Sequence, residues 1–87
     1  MQMKAVHADA LRIMLTLLDT EGILGPHSGI ASHLYIALDS DIHRYNAAID
    51  MLRRAEHATS DGEIVRLTDK GVATAQSLSE KLKRAGK

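Results

Sequence analysis

A mainly α-helical fold with one small β-hairpin follows from three observations on this chain. Apolar residues recur at three- and four-residue steps in four separate stretches, Asp61-Gly62 falls between two short β-prone segments, and the connections between these stretches are brief. Eighty-seven residues suffice for one domain, which buries about 60–65% of its extended-chain surface, so a partner chain would add useful stability. With 11 Leu, 7 Ile and 3 Val but no Phe or Trp, and only Tyr35 and Tyr45 as aromatics, the core must be aliphatic.

The first helix is expected from about Ala5 to Glu21, with Gly22 as its stop because glycine tolerates the left-handed conformation that ends helices. Ala10, Leu11, Ile13, Met14, Leu15, Leu17 and Leu18 cover most of its circumference, leaving a narrow polar stripe of Asp9, Arg12, Thr16 and Asp19. Such a helix is buried on more than one side, as the centre of a bundle, as half of a dimer interface, or both. Gly22 to Gly29 reads as loop, with Ile23 and Leu24 pinning it to the core and room for a short edge strand. Ser28 reads as the N-cap of a second helix over residues 29–38, with Ile30, Leu34 and Leu38 on one side.

The third helix, residues 40–56, organises the remainder. Ile42, Tyr45, Ile49 and Leu52 stack toward the core, and Asp39 or Ser40 can cap the first turn. Ser40, His43, Ala47 and Arg54 fall on roughly the opposite side, with Arg44, Asp50 and Met51 beside them and Asn46 and Arg53 at a flank. A mixed Arg/His/Asn face with a small alanine at its centre suits the major groove of DNA, the plainer alternative being a solvated helix face. The second and third helices, joined by a tight turn, have helix-turn-helix spacing.

A hairpin over residues 57–67 follows, with Val65 and Leu67 on one face of its second strand and Ile64 and Arg66 on the other, so that Arg66 points outward. Thr68 then caps a last helix over residues 69–85, on which Ala75, Leu78, Leu82 and Ala85 form a narrow seam of the kind that pairs helices between chains or packs on its own domain.

Formal net charge is zero, from 11 Lys+Arg and 11 Asp+Glu, but its placement is uneven: residues 1–40 carry −2 and residues 41–87 carry +2. Without cysteine there is neither a disulfide scaffold nor a thiol nucleophile. His7, His27, His33, His43 and His57 form no i, i+4 pair, so no metal site is expected, and no cofactor either. No glycine-rich phosphate loop or nucleophile elbow is present, and the chain does not read as an enzyme. With no apolar signal segment and no membrane-spanning stretch, a cytoplasmic protein is expected.

The order of elements, the stretch SGIASHLYIALDSDIHRYNAAIDMLRRAEHA at 28–58, and LTDKG at 67–71 resemble the winged helix-turn-helix DNA-binding domains, most closely those of MarR- and PadR-type bacterial and archaeal regulators. The resemblance spans about residues 5–85 and implies a three-helix core, a two- or three-stranded wing and a C-terminal helix in a single domain, residues 1–87. It implies sequence-specific binding of double-stranded DNA by a homodimeric transcriptional regulator paired through its first helix, its last helix or both. Carried onto this chain, Arg44 becomes the first candidate for a base-edge or phosphate contact, and Ser40, His43 and Ala47 line the same surface with Asn46 at its flank. Arg53 and Arg54 would meet phosphates, with Asp50 orienting one of them, and Arg66 would follow the wing onto the backbone or into the minor groove. The alternative is a protein-interaction module that does not bind DNA, which suits the zero net charge and the acids Asp41 and Asp50. A small-molecule effector is disfavoured, because a chain this short has little room for a ligand pocket beside its core.

Overall fold

The computed structural model of the chain describes residues 3–22, 25–38 and 41–85. Helix α1, Met3–Leu18, supplies the centre of the core. Val6, Ala10, Ile13, Met14 and Leu17 recur at steps of three and four, and all five are buried. The helix ends earlier than Gly22. The Thr20 amide donates to the Leu17 carbonyl at 3.2 Å and the Thr20 hydroxyl to the Thr16 carbonyl at 2.6 Å, which satisfies acceptors that the last turn leaves open. Gly22 instead lies in β1, Glu21–Gly22, paired antiparallel with β2, Gly25–Pro26. Its glycine identity answers to crowding: a Cβ there would lie 2.6 Å from the Ser28 carbonyl oxygen. Ile23 and Leu24, expected to pin this loop, lie outside the described residues.

Ser28 does not cap a helix. It is buried at the start of β3, Ser28–Ile30, and its hydroxyl donates to the Gly25 carbonyl at 2.8 Å. The strand partners satisfy backbone groups that a helix start at Gly29 would leave open. Helix α2 therefore runs Ala31–Leu38, with Leu34 and Leu38 buried and its first amide donating to the Glu63 carbonyl at 2.7 Å.

Helix α3 is Ile42–Arg54, two residues shorter at each end than expected. Its cap is Asp41, whose carboxylate accepts from the Arg44 amide at 2.8 Å; Asp39 and Ser40 lie outside the described residues. At the other end Glu56 takes a left-handed φ of 63°, the Glu56 amide donates to Arg53 and the His57 amide to Leu52. This is a Schellman ending with glutamate where glycine is usual. The buried stripe is Tyr45, Ala48 and Leu52, with Ile49 half-buried. It is rotated from the expected one, so Ile42 turns out to solvent at 47% exposure, while Ala47 and Met51, assigned to the outer face, are half-buried, touching the core on one side and keeping the other toward solvent.

The wing has three strands: β3, β4 (Ala58–Ser60) and β5 (Ile64–Leu67), in the order β3-β5-β4 and all antiparallel. Gly29 pairs with Val65 and Ser60 pairs with Val65 from the other side, so β5 is the middle strand. Val65 and Leu67 point into the core and Arg66 points out, the alternation expected of a half-buried strand. Helix α4, Asp69–Ala85, starts from Thr68, whose hydroxyl accepts from the Gly71 amide at 3.0 Å and donates to the Glu56 carbonyl at 2.6 Å. Gly71 packs directly on the His57 carbonyl, where no Cβ fits. Along the seam of α4, Ala75 is buried, Leu78 half-buried, and Leu82 and Ala85 exposed, so the seam starts in the core and runs out into solvent. Among the described residues, four helices and a three-stranded antiparallel wing make a mainly α winged helix-turn-helix. Among the described residues no helix is long and apolar enough to cross a membrane.

Candidate nucleic-acid interface

Capping by Asp41 and burial of Tyr45, Ala48 and Leu52 set the rotation of α3, and with it the side chains that reach solvent. His43, Asn46, Arg53 and Arg54 are exposed, with Ala47 and Asp50 half-buried between them. Steps of three and four residues place these groups along one side of roughly three turns of helix. Exposed Ile42 precedes them at the N-terminal end. Ser40, another residue expected on this surface, lies outside the described residues.

Arg44 does not belong to that ridge. Its Nη2 donates to Asp9 Oδ1 on α1 at 3.1 Å, its side chain is 36% exposed, and Asp9 is 1% exposed. The Arg44 Nε is buried without a hydrogen-bond partner. The residue ranked first for a base contact is thus turned toward α1, and Asp9, expected in a narrow polar stripe, is buried. The sequence did carry a signal for this: Asp9 has Val6 and Ile13 as three- and four-residue neighbours, and a carboxylate on an apolar face requires a buried cation or donor.

At the C-terminal end of α3, Asp50 Oδ2 accepts from Arg54 Nε at 2.9 Å, with side chains 49% and 82% exposed. Of the two arginines within helical reach of Asp50, it is therefore Arg54 that is held. Arg53 has no ion-pair partner among the described residues. On the wing, Arg66 is exposed, stands beside Thr59 and Ser28 on the neighbouring strands, and shares a shallow depression of about 230 Å³ with Thr59, Ser60, Asp61 and Ile64. The amides of Ile64 and Glu63 donate to Asp61 Oδ1 at 2.8 and 3.1 Å and hold its carboxyl below the usual carboxylate range. The wing turn is therefore built around an ionised aspartate.

Behind this ridge, Tyr45 meets Tyr35 edge-to-face with centroids 5.7 Å apart, and its hydroxyl is buried without a partner. Burial raises the Tyr45 pKa above the ordinary tyrosine value by disfavouring the charged phenolate. Among the described residues no three His, Asp or Glu side chains gather as metal ligands. What the exposed groups offer is chemistry for a polyanion with readable edges: guanidinium donors at one end, an amide and an imidazole in the middle, and apolar side chains alongside.

No protein-family model matches the sequence, and no curated protein matches it either. Among solved structures the chain is similar to a MarR family transcriptional regulator from Silicibacter pomeroyi DSS-3, with a TM-score of 0.70 at 22% identity. The superposition covers 87% of this chain and 53% of the regulator's, so this chain spans about half of that protein. The shared property is the MarR-like winged-helix fold.

Proposed function

We propose that this chain is a transcriptional regulator that binds double-stranded DNA as a homodimer in the cytoplasm, its residues 1–87 acting as one winged-helix domain. The observation that carries the reading is the exposed ridge of α3, His43, Asn46, Arg53 and Arg54, standing beside a wing that presents Arg66. The ridge enters the major groove, Arg53, Arg54 and Arg66 take phosphates, and Asn46, His43 and Ala47 approach base edges. Arg44 acts on DNA indirectly, by fixing α3 against α1 through Asp9. The winged-helix fold shared with a transcriptional regulator supports the same reading.

A homodimer is supported by apolar surface left on α1 and α4. Leu11 separates two open grooves, one of about 520 Å³ with Lys4, His7, Ala8 and Met51, the other of about 370 Å³ with Ala73, Thr74, Ser77, Leu78 and Lys81. Leu82 stands 53% exposed further along α4. A two-fold dimer would set two α3 helices into successive major grooves, about 34 Å apart.

A second reading, a winged helix that docks on another protein, is favoured by the charge pairing. Asp9 and Asp50 neutralise two of the three arginines on α3, and the chain is neutral overall. Fluorescence anisotropy of a labelled mixed-sequence duplex at about 50 and 200 mM salt separates the two. The DNA reading expects micromolar binding that weakens steeply with salt through counterion release; no binding at the lower salt selects the protein-docking reading.

A further inference from the structure

The ridge of α3 differs along its length, and the difference bears on which base pairs it selects. Guanine is read in the major groove by a bidentate Arg or Lys on O6 and N7. The one arginine in the N-terminal half of α3 is Arg44, and its guanidinium is drawn to Asp9 at 3.1 Å. Arg53 and Arg54 lie in the last turn, away from the end of a reading helix that contacts bases, and Arg54 is already held by Asp50. The groups left in the N-terminal half are Ile42, His43, Asn46 and Ala47. Ile42 is 47% exposed, an apolar side chain left at the surface of this half. Asn46 is exposed four residues on, one turn further along the same side of the helix.

Each of these groups has a defined counterpart on a base edge. An amide carrying both a donor and an acceptor matches N7 and the N6 amino group of adenine. A branched alkyl side chain matches the C5-methyl of thymine, which no other base in unmodified DNA presents in that groove. Imidazole N–H donates to N7, an acceptor that adenine and guanine share, so His43 adds affinity without choosing between them.

We propose that the N-terminal half of α3 selects A·T base pairs, with Asn46 bonded to adenine and Ile42 packed on a thymine methyl one turn away. The proposal rests on the DNA-binding reading above and specifies which duplex that face prefers. Withdrawal of Arg44 to Asp9 is part of the selectivity, because it removes the guanine reader from the half of the helix that touches bases.

The test begins with selection of bound duplexes from a pool with a randomised centre, using the full chain. The preferred duplex is then remade with deoxyuridine in place of thymidine, which deletes only the methyl groups. The proposal expects A·T pairs in the selected sequences and a loss of about fourfold in affinity for each contacted methyl removed. Ile42→Ala lowers affinity for the thymine duplex by a similar factor and becomes indifferent to deoxyuridine, and Asn46→Ala cuts the preference for adenine by about tenfold. Selection of G·C pairs, or equal affinity for thymine and deoxyuridine duplexes, overturns the inference while leaving DNA binding intact. Retention of no duplex at about 50 mM salt overturns the DNA-binding reading itself, and this inference with it. The deoxyuridine arm alters only the DNA, so it holds whatever Ile42→Ala does to folding.

Discussion

Arg44 and Arg54 lie ten residues apart on one helix, and each meets an aspartate at nearly the same distance, 3.1 and 2.9 Å. Their surroundings differ. Asp9 is almost fully buried and belongs to another helix, whereas Asp50 is half exposed and one turn away on the same helix. Removing one partner of a buried pair strands a charge out of water, while an exposed i, i+4 pair competes with solvent and contributes little. The first pair therefore locks the angle at which α1 and α3 cross. The second holds an arginine on the surface in a form that phosphate can take over.

The largest effect that separates the two pairs is expected from Asp9→Ala. It leaves a half-buried guanidinium whose Nε already lacks a partner, and it should cost about 2 kcal/mol, discounted from the fully buried case because Arg44 is partly exposed. Urea unfolding near neutral pH measures this; a loss below about 0.5 kcal/mol would place the pair in the same class as Asp50–Arg54. Tyr45→Phe, next in the chain to Arg44, removes a buried hydroxyl that has no partner and is expected to raise stability by up to about 1 kcal/mol in the same assay. Asp50→Ala should change stability by less than about 0.5 kcal/mol, yet strengthen binding to duplex DNA about threefold by releasing Arg54 and deleting a repelling charge. Equal losses of stability from Asp9→Ala and Asp50→Ala would erase the contrast.

The smallest effect is confined to the wing. The Asp61 carboxyl titrates lower in the folded chain than in the unfolded one because two backbone amides bond to it. Its contribution is therefore complete above the unfolded value, near pH 4, and is lost as pH falls through the lower folded value. Amide shifts of Glu63 and Ile64 followed by NMR should move together below about pH 4 and stay flat above it, with α3 unaffected.

Features set by neighbours in sequence were the legible ones. The last helix announced itself through Thr68, Asp69 and its three-and-four spacing, and the hairpin through Asp61-Gly62 with Val65 and Leu67 alternating against Arg66. Features set at a distance were not. The three residues of β3 have little strand character, and the strand exists because β5, more than 30 residues later, supplies its partners. Asp39, Ser40 and Asp41 offer three successive capping oxygens, so the choice of Asp41 awaited the burial of Tyr45 and Leu52. In the candidate site, helical periodicity placed His43, Asn46, Arg53 and Arg54 on accessible surface and strand alternation did the same for Arg66, while helical periodicity misplaced Arg44, whose partner lies 35 positions earlier.

The proposed DNA contact is made by one surface, the outer ridge of α3 together with the wing, and amide chemical-shift mapping during titration with duplex DNA at about 50 mM salt tests it most directly. The expected result is a set of perturbations at His43, Asn46, Ala47, Arg53, Arg54 and Arg66 that fade as salt is raised, with the solvent-facing residues of α4 unmoved. Perturbations confined to α1 and α4, or no response along α3 at any DNA concentration, would contradict it.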